Sequence, residues 1–150
     1  MKTVKKNVYY CDFCKKKSLS ATVIHNHEKH CTGNINRECK LCGFDETSHD
    51  LPEIVESFKK RFRLVDVLIP GDDYGGEYNE IEVEWTGKPV TLDEIEDAVD
   101  SCPACTLAVL RLTGMNRYYF GFEYNYKQDI KNWWEERDNE QTYNFFHSEN

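Results

Sequence analysis

YYCDFCKKKSLSATVIHNHEKHC, residues 9–31, decides how the head of this chain folds. Cys11 and Cys14 are separated by two residues, and twelve more lead to His27, with Cys31 four positions on. Zinc takes four nitrogen or sulfur ligands at tetrahedral corners. A CxxC turn presents two thiolates on one side, and a His and a Cys four apart share one face of a helix. Ser20 is placed to cap a helix from Ala21 to about Cys31, with Ile24 inward and Tyr9 two residues before the first Cys. His30 is the other candidate for the fourth ligand, but only two residues separate it from His27, a short spacing. A unit this small does not fold without metal, so zinc supplies its stability.

At these residues the sequence resembles the ββα zinc finger, in the variant whose last ligand is Cys. The resemblance spans Tyr9 to Cys31 and implies two short strands before the helix. One position departs from the pattern: Ser18 stands where that family carries an apolar side chain, and Leu19 is expected to fill the space. In that family bases are read from helix positions −1, 3 and 6, which are Ser20, Val23 and Asn26 here. Val23 neither donates nor accepts, so Asn26 is the one strong base reader. Lys15, Lys16 and Lys17 suit phosphates better than bases. One finger is also a small surface for specific recognition. The expectation is non-specific nucleic-acid contact or a protein interface.

A second set of cysteines follows: Cys39-Lys-Leu-Cys42-Gly and Cys102-Pro-Ala-Cys105. Each pair resembles a zinc knuckle, and together they complete a four-cysteine site. The 59 residues between the pairs are tolerable, because closure entropy grows slowly with loop length. Gly43 is expected to turn the chain with positive φ, and Pro103 to set φ at the start of a helix. The seven cysteines plus His27 make eight ligands, enough for two tetrahedral sites. The expected cofactor is therefore zinc, two per chain, in structural sites with no position left for water. His25, His49 and His147 are expected at the surface.

Two other chemistries compete for the same residues. Cys11-x2-Cys14, His25-Asn26-His27 and Cys39-x2-Cys42 resemble the zinc-stapled HNH or ββα-metal endonucleases, in which His25 would be the general base. That family has an Asp before the His and an Asn after the last Cys; here these are Ile24 and Gly43, so nothing holds the catalytic cation. A redox CxxC at Cys102 and Cys105 would need a βαβ surround, and no such pattern is present.

With 150 residues the chain holds one domain and a small module. It is 39% hydrophobic and 31% charged, too apolar for a disordered chain, and it contains no apolar run of the ~18 residues that span a bilayer. MKTVKKNVYYC is not a secretory signal, so the expected location is the cytoplasm, where paired cysteines hold metal more often than they form disulfides. The net charge of −8 is a difference of two opposites. Residues 1–40 carry nine Lys/Arg against three Asp/Glu, or +6, and the remainder carries ten against 24, or −14. Attraction favours an anionic partner for the head and a cationic one for the body.

The body reads as α+β: a few antiparallel strands with helices on one face, stapled by the four-cysteine site. The division expected is a finger over 1–34 and an acidic domain over 35–150. Asp50 and Glu53 open a helix carried by Leu51, Ile54, Val55, Phe58 and Phe62 to about Arg63. Leu64 to Ile69 is a strand, and a Gly-rich turn follows. Glu80 to Trp85 alternates strictly, with Ile81, Val83 and Trp85 on one face and Glu80, Glu82 and Glu84 on the other. Thr91 and Glu94 open a helix to about Asp100, and Cys102 begins a buried one stopped by Gly114. Arg117 to Tyr126 reads as an aromatic-rich strand, Gln128 to about Arg137 as the last helix, and the chain frays from Asp138. Glu80, Glu82 and Glu84 stand ~7 Å apart, near the phosphate spacing of a nucleic-acid strand, and form a candidate face for a basic partner.

From Tyr10 to Gly43 the chain also resembles small zinc-finger proteins of phage and prophage genomes, a mostly uncharacterised family. The resemblance implies zinc and a mobile-element setting. The functional expectation is a non-enzymatic zinc-binding protein that binds nucleic acid or a host protein handling it, such as a defence system. Zinc-stapled endonuclease and CxxC redox protein are the alternatives.

Overall fold

The computed structural model describes residues 1–147, without the side chains of 141–147. His147 therefore lies outside the described side chains. The chain opens with β1 (Tyr9–Tyr10), β2 (Lys17–Ser18) and α1 (Ala21–His30). β1 and β2 pair antiparallel, Tyr9 opposite Ser18 and Tyr10 opposite Lys17. Ser20 caps α1, its Oγ accepting from the Val23 N–H. The helix ends where Cys31 turns extended at φ −61°, ψ 131°.

This unit has almost no apolar interior. Cys11, Ile24 and Cys31 are its buried cluster, with Cys14 packed against them. Leu19 does not fill the place left by Ser18: it is 60% exposed. Residue 19 lies at the bend between β2 and the Ser20 cap, and its side chain leaves the small interior. Ligand atoms rather than hydrocarbon occupy the centre.

The body continues with α2 (Lys40–Phe44), α3 (Leu51–Lys59), β3 (Phe62–Ile69), β4 (Tyr78–Trp85), α4 (Leu92–Ala98), α5 (Pro103–Thr113), a 3₁₀ turn at Tyr118–Phe120 and α6 (Tyr126–His147). The architecture is α+β, with two separate two-stranded antiparallel sheets. Asp50 caps α3 by accepting from the Glu53 N–H, and Thr91 caps α4 by accepting from the Glu94 N–H. Pro103 opens α5, and Gly114 closes it at φ +81°, a conformation that disfavours a side chain.

α5 is the centre of the core. Ala108 and Val109 are fully buried on it, and Ile95, Val99 and Met115 are equally enclosed around it. α3, α4 and α6 pack against it. β3 and β4 form a hairpin in the register Phe62 opposite Trp85 through Ile69 opposite Tyr78. Its base joins the core through Phe62, Trp85 and Phe120, whose ring centroids are 4.9–6.0 Å apart. Farther out, Leu64 and Leu68 are exposed.

Four local expectations are corrected. α3 stops at Lys59 rather than Arg63, and Phe62 belongs to β3. Phe62 fits both a helical repeat after Phe58 and the start of an apolar strand, and ladder pairing with Trp85 decides it. Arg117 to Tyr126 is not a strand. Gly121 adopts φ +75° and closes a 3₁₀ turn, so Phe120, Phe122 and Tyr124 reach the core from an irregular segment. α6 runs from Tyr126 to His147, well past Arg137. Gly43 is inside α2 and is not among the positive-φ residues, because a short helix, not a tight turn, carries the chain on from Cys42.

Candidate metal centres

Two groups of ligand atoms converge among the described residues. Cys11, Cys14, His27 and Cys31 form one, and Cys39, Cys42, Cys102 and Cys105 the other, each with all ligand atoms within 4.8 Å of one another. In the first, Cys14 Sγ is 3.2 Å from His27 Nε2. In the second, Cys39 Sγ lies 3.6 Å from Cys102 Sγ, and Cys42 Sγ 3.4 Å from Cys105 Sγ. Sulfurs bound to one zinc at ~2.3 Å stand roughly 3.7–3.8 Å apart, so both donor sets fit a tetrahedral ion. Disulfides at ~2.05 Å are not formed, and all seven cysteines are free.

Local structure brings these atoms together. The β1–β2 turn holds Cys11 and Cys14, with N–H groups of Phe13 and Lys16 donating to their sulfurs at 3.3 and 3.4 Å. α1 carries His27 one turn before Cys31. In the second site Cys39 caps α2, its Sγ accepting from the Cys42 N–H, and Cys102 and Cys105 sit at the start of α5. Such donors stabilise thiolates. Arg37 adds a cation, with Nη1 4.0 Å from Cys105 Sγ.

Sulfurs this close cannot all ionise without a cation among them. Cys105 is pushed up strongly by its contact with Cys102, then by Cys39 and by burial. Burial pushes Cys31 up to about 11. Burial and then Lys16 pull His27 down, which favours the neutral imidazole a metal needs. Each cluster could therefore hold one zinc, giving two per chain.

The remaining candidate residues lie apart from these centres. His30 is outside the first cluster; its Nδ1 is 2.8 Å from the Glu38 carbonyl oxygen. His25 is exposed on α1, beside Tyr9, Tyr10 and Glu28 in a shallow cavity. No third group of three or more potential ligands accompanies it among the described residues. Cys102 and Cys105 are drawn into the four-sulfur cluster rather than standing as an isolated pair. Lys15, Lys16, Lys17 and Asn26 are exposed on the finger. Glu80, Glu82 and Glu84 are exposed on β4; Glu84 pairs with Arg63 at 2.6 Å, while Glu80 and Glu82 face Val67 and Val65 across the ladder.

His49 is the residue whose placement differs most from expectation. Its side chain is 7% exposed. Nδ1 lies 3.3 Å from Cys42 Sγ and Nε2 2.8 Å from Asp100 Oδ2. The spacing Cys42-x6-His49 was the one available signal, and it is a weak one because four cysteines already complete the site.

No protein family, curated protein or solved structure matches the chain. No helix among the described residues is long and apolar enough to cross a membrane.

Proposed function

We propose that this chain is a non-enzymatic, cytoplasmic two-zinc protein that works by binding. Its basic finger contacts nucleic acid or an acidic patch on a protein that handles nucleic acid. Its acidic body, through the Glu80, Glu82 and Glu84 face, contacts a basic partner. The resemblance of residues 10–43 to phage and prophage zinc-finger proteins is the reason for proposing a mobile-element setting, where modulation of a host defence system is a fitting role.

The observation that carries this reading is that each cluster has four protein ligands. Catalytic zinc keeps a position open for water, and structural zinc does not. The opposed charges of head and body add a reason for two different partners.

Fluorescence anisotropy with labelled random-sequence DNA and RNA tests the finger. Binding that weakens steeply with salt, with the slope reduced by about one per lysine in a Lys15→Glu, Lys16→Glu, Lys17→Glu variant, is expected. Equal, salt-independent signals from both proteins would contradict nucleic-acid contact. Divalent-metal-dependent cleavage lost in His25→Ala would contradict the non-enzymatic reading.

A further inference from the structure

We propose that His49 is a positioning residue for the four-cysteine centre, donating from Nδ1 to the Cys42 sulfur while Asp100 holds its Nε2. The proposal rests on the zinc reading above and assigns a fifth residue to that site.

The geometry is specific on both sides of the ring. Nδ1 is 3.3 Å from Cys42 Sγ, and Nε2 is 2.8 Å from Asp100 Oδ2. A metal-bound thiolate only accepts, so Nδ1 carries the proton directed at Cys42, and the Asp100 carboxylate lies against Nε2. The His49 side chain is 7% exposed and the Asp100 carboxylate 72%, so the contact with buried Cys42 is the one shielded from water.

The backbone is arranged to present both groups. Thr47 N donates to the Cys42 carbonyl at 2.8 Å and folds the segment after α2 back onto its ligand. On the far side, Asp100 and Ser101 take φ +52° and +59°. Two successive non-glycine residues in the left-handed region carry strain. The Ser101 N–H donates to the Glu96 carbonyl at 2.8 Å, and the Cys102 N–H to the Val99 carbonyl at 3.1 Å. This turn delivers Asp100 to His49 immediately before ligand Cys102. His49 thus ties the two halves of a split site, Cys42 on one side and the approach to Cys102 on the other.

The chemical effect follows. An N–H directed at a metal-bound sulfur withdraws negative charge from it and fixes its orientation. Arg37, 4.0 Å from Cys105 Sγ, does the same from another side. Four thiolates on one zinc leave an anionic centre, and these two residues offset it.

The experiment uses the full chain. Zinc transfer to a chelator is followed in wild type, His49→Phe, which keeps the ring and loses the donor, and His49→Asn, which keeps a donor near Nδ1. His49→Phe is expected to lose zinc from the four-cysteine site about 10–100-fold more readily, with the finger zinc unchanged and His49→Asn close to wild type. In the wild-type chain loaded with ¹¹³Cd, NMR should show coupling between the His49 Nδ1 proton and the four-sulfur cadmium. Loading without that coupling, or equal behaviour of His49→Phe and His49→Asn, overturns the His49 role alone. A wild-type chain that takes up no metal at this site overturns the zinc reading and the His49 role together.

Discussion

Cys42 and Cys105 bring their sulfurs to 3.4 Å across 63 residues of chain. This pairing joins α2 to α5, so the four-cysteine centre clamps the start of the body onto its most buried helix. The finger centre, by contrast, closes within residues 11–31. The two sites should fail differently. Cys31→Ala is expected to remove one zinc and loosen only the finger. Cys105→Ala should also remove one zinc but lower the melting midpoint of the body by about 10 °C or more, since structural zinc contributes several kcal/mol and each one shifts the midpoint by ~2–4 °C. Native mass spectrometry and thermal melts of both variants check this.

Gly33 packs against the CxxC turn of the finger. A Cβ there would collide with the Phe13 carbonyl oxygen and crowd its neighbouring atoms. Gly33→Ala should therefore displace the turn that holds Cys11 and Cys14, costing about 1–3 kcal/mol of finger stability. Amide exchange of residues 9–31 should rise while that of α5 stays unchanged.

α6 holds the α2 end of the four-cysteine site in place. Phe44, two residues after Cys42, meets Trp133 and Trp134 edge-on at 5.7 and 5.5 Å. Arg137 lies 3.5 Å above the Trp133 ring and pairs with Asp45. Trp133 is 6% exposed. Trp133→Ala should cost about 3–5 kcal/mol and speed zinc loss from the four-cysteine site, measured by denaturant unfolding and chelator competition.

Arg61 ties the base of the hairpin to α4 through Glu94. The Arg61 hydrogen bond holds the Glu94 carboxyl below its ordinary value. A carboxylate lowered on folding stabilises the native state above its unfolded pKa and loses that contribution as pH falls through the folded one. Glu94 is 41% exposed at its side chain, so screening limits the effect to about 0.2–1 kcal/mol. Glu94→Gln should be less stable than wild type by that amount at pH 7, and the difference should shrink as pH falls below the ordinary glutamate range and be lost once the lowered carboxyl is protonated.

Short-range patterns carried much of this structure. Ser20, Asp50 and Thr91 each cap a helix because a side-chain oxygen meets an N–H three residues on, a relationship visible in sequence. The alternation from Glu80 to Trp85 marks β4 for the same reason. The CxxC spacings and His27-x3-Cys31 are equally local. Where two local patterns competed, tertiary pairing decided, as at Phe62. The aromatic alternation around Phe120 and Phe122 imitates a strand, and only the conformation of Gly121 breaks it. His49 was hidden for another reason: its partner Asp100 is 51 residues away, on a turn whose left-handed residues are not glycine.

Two separate centres could each hold a zinc ion. Elemental analysis paired with native mass spectrometry of the full chain, purified without added chelator, tests it most directly. Two zinc ions per chain are expected, falling to one in either Cys31→Ala or Cys105→Ala. One zinc or none in the wild-type protein would contradict it.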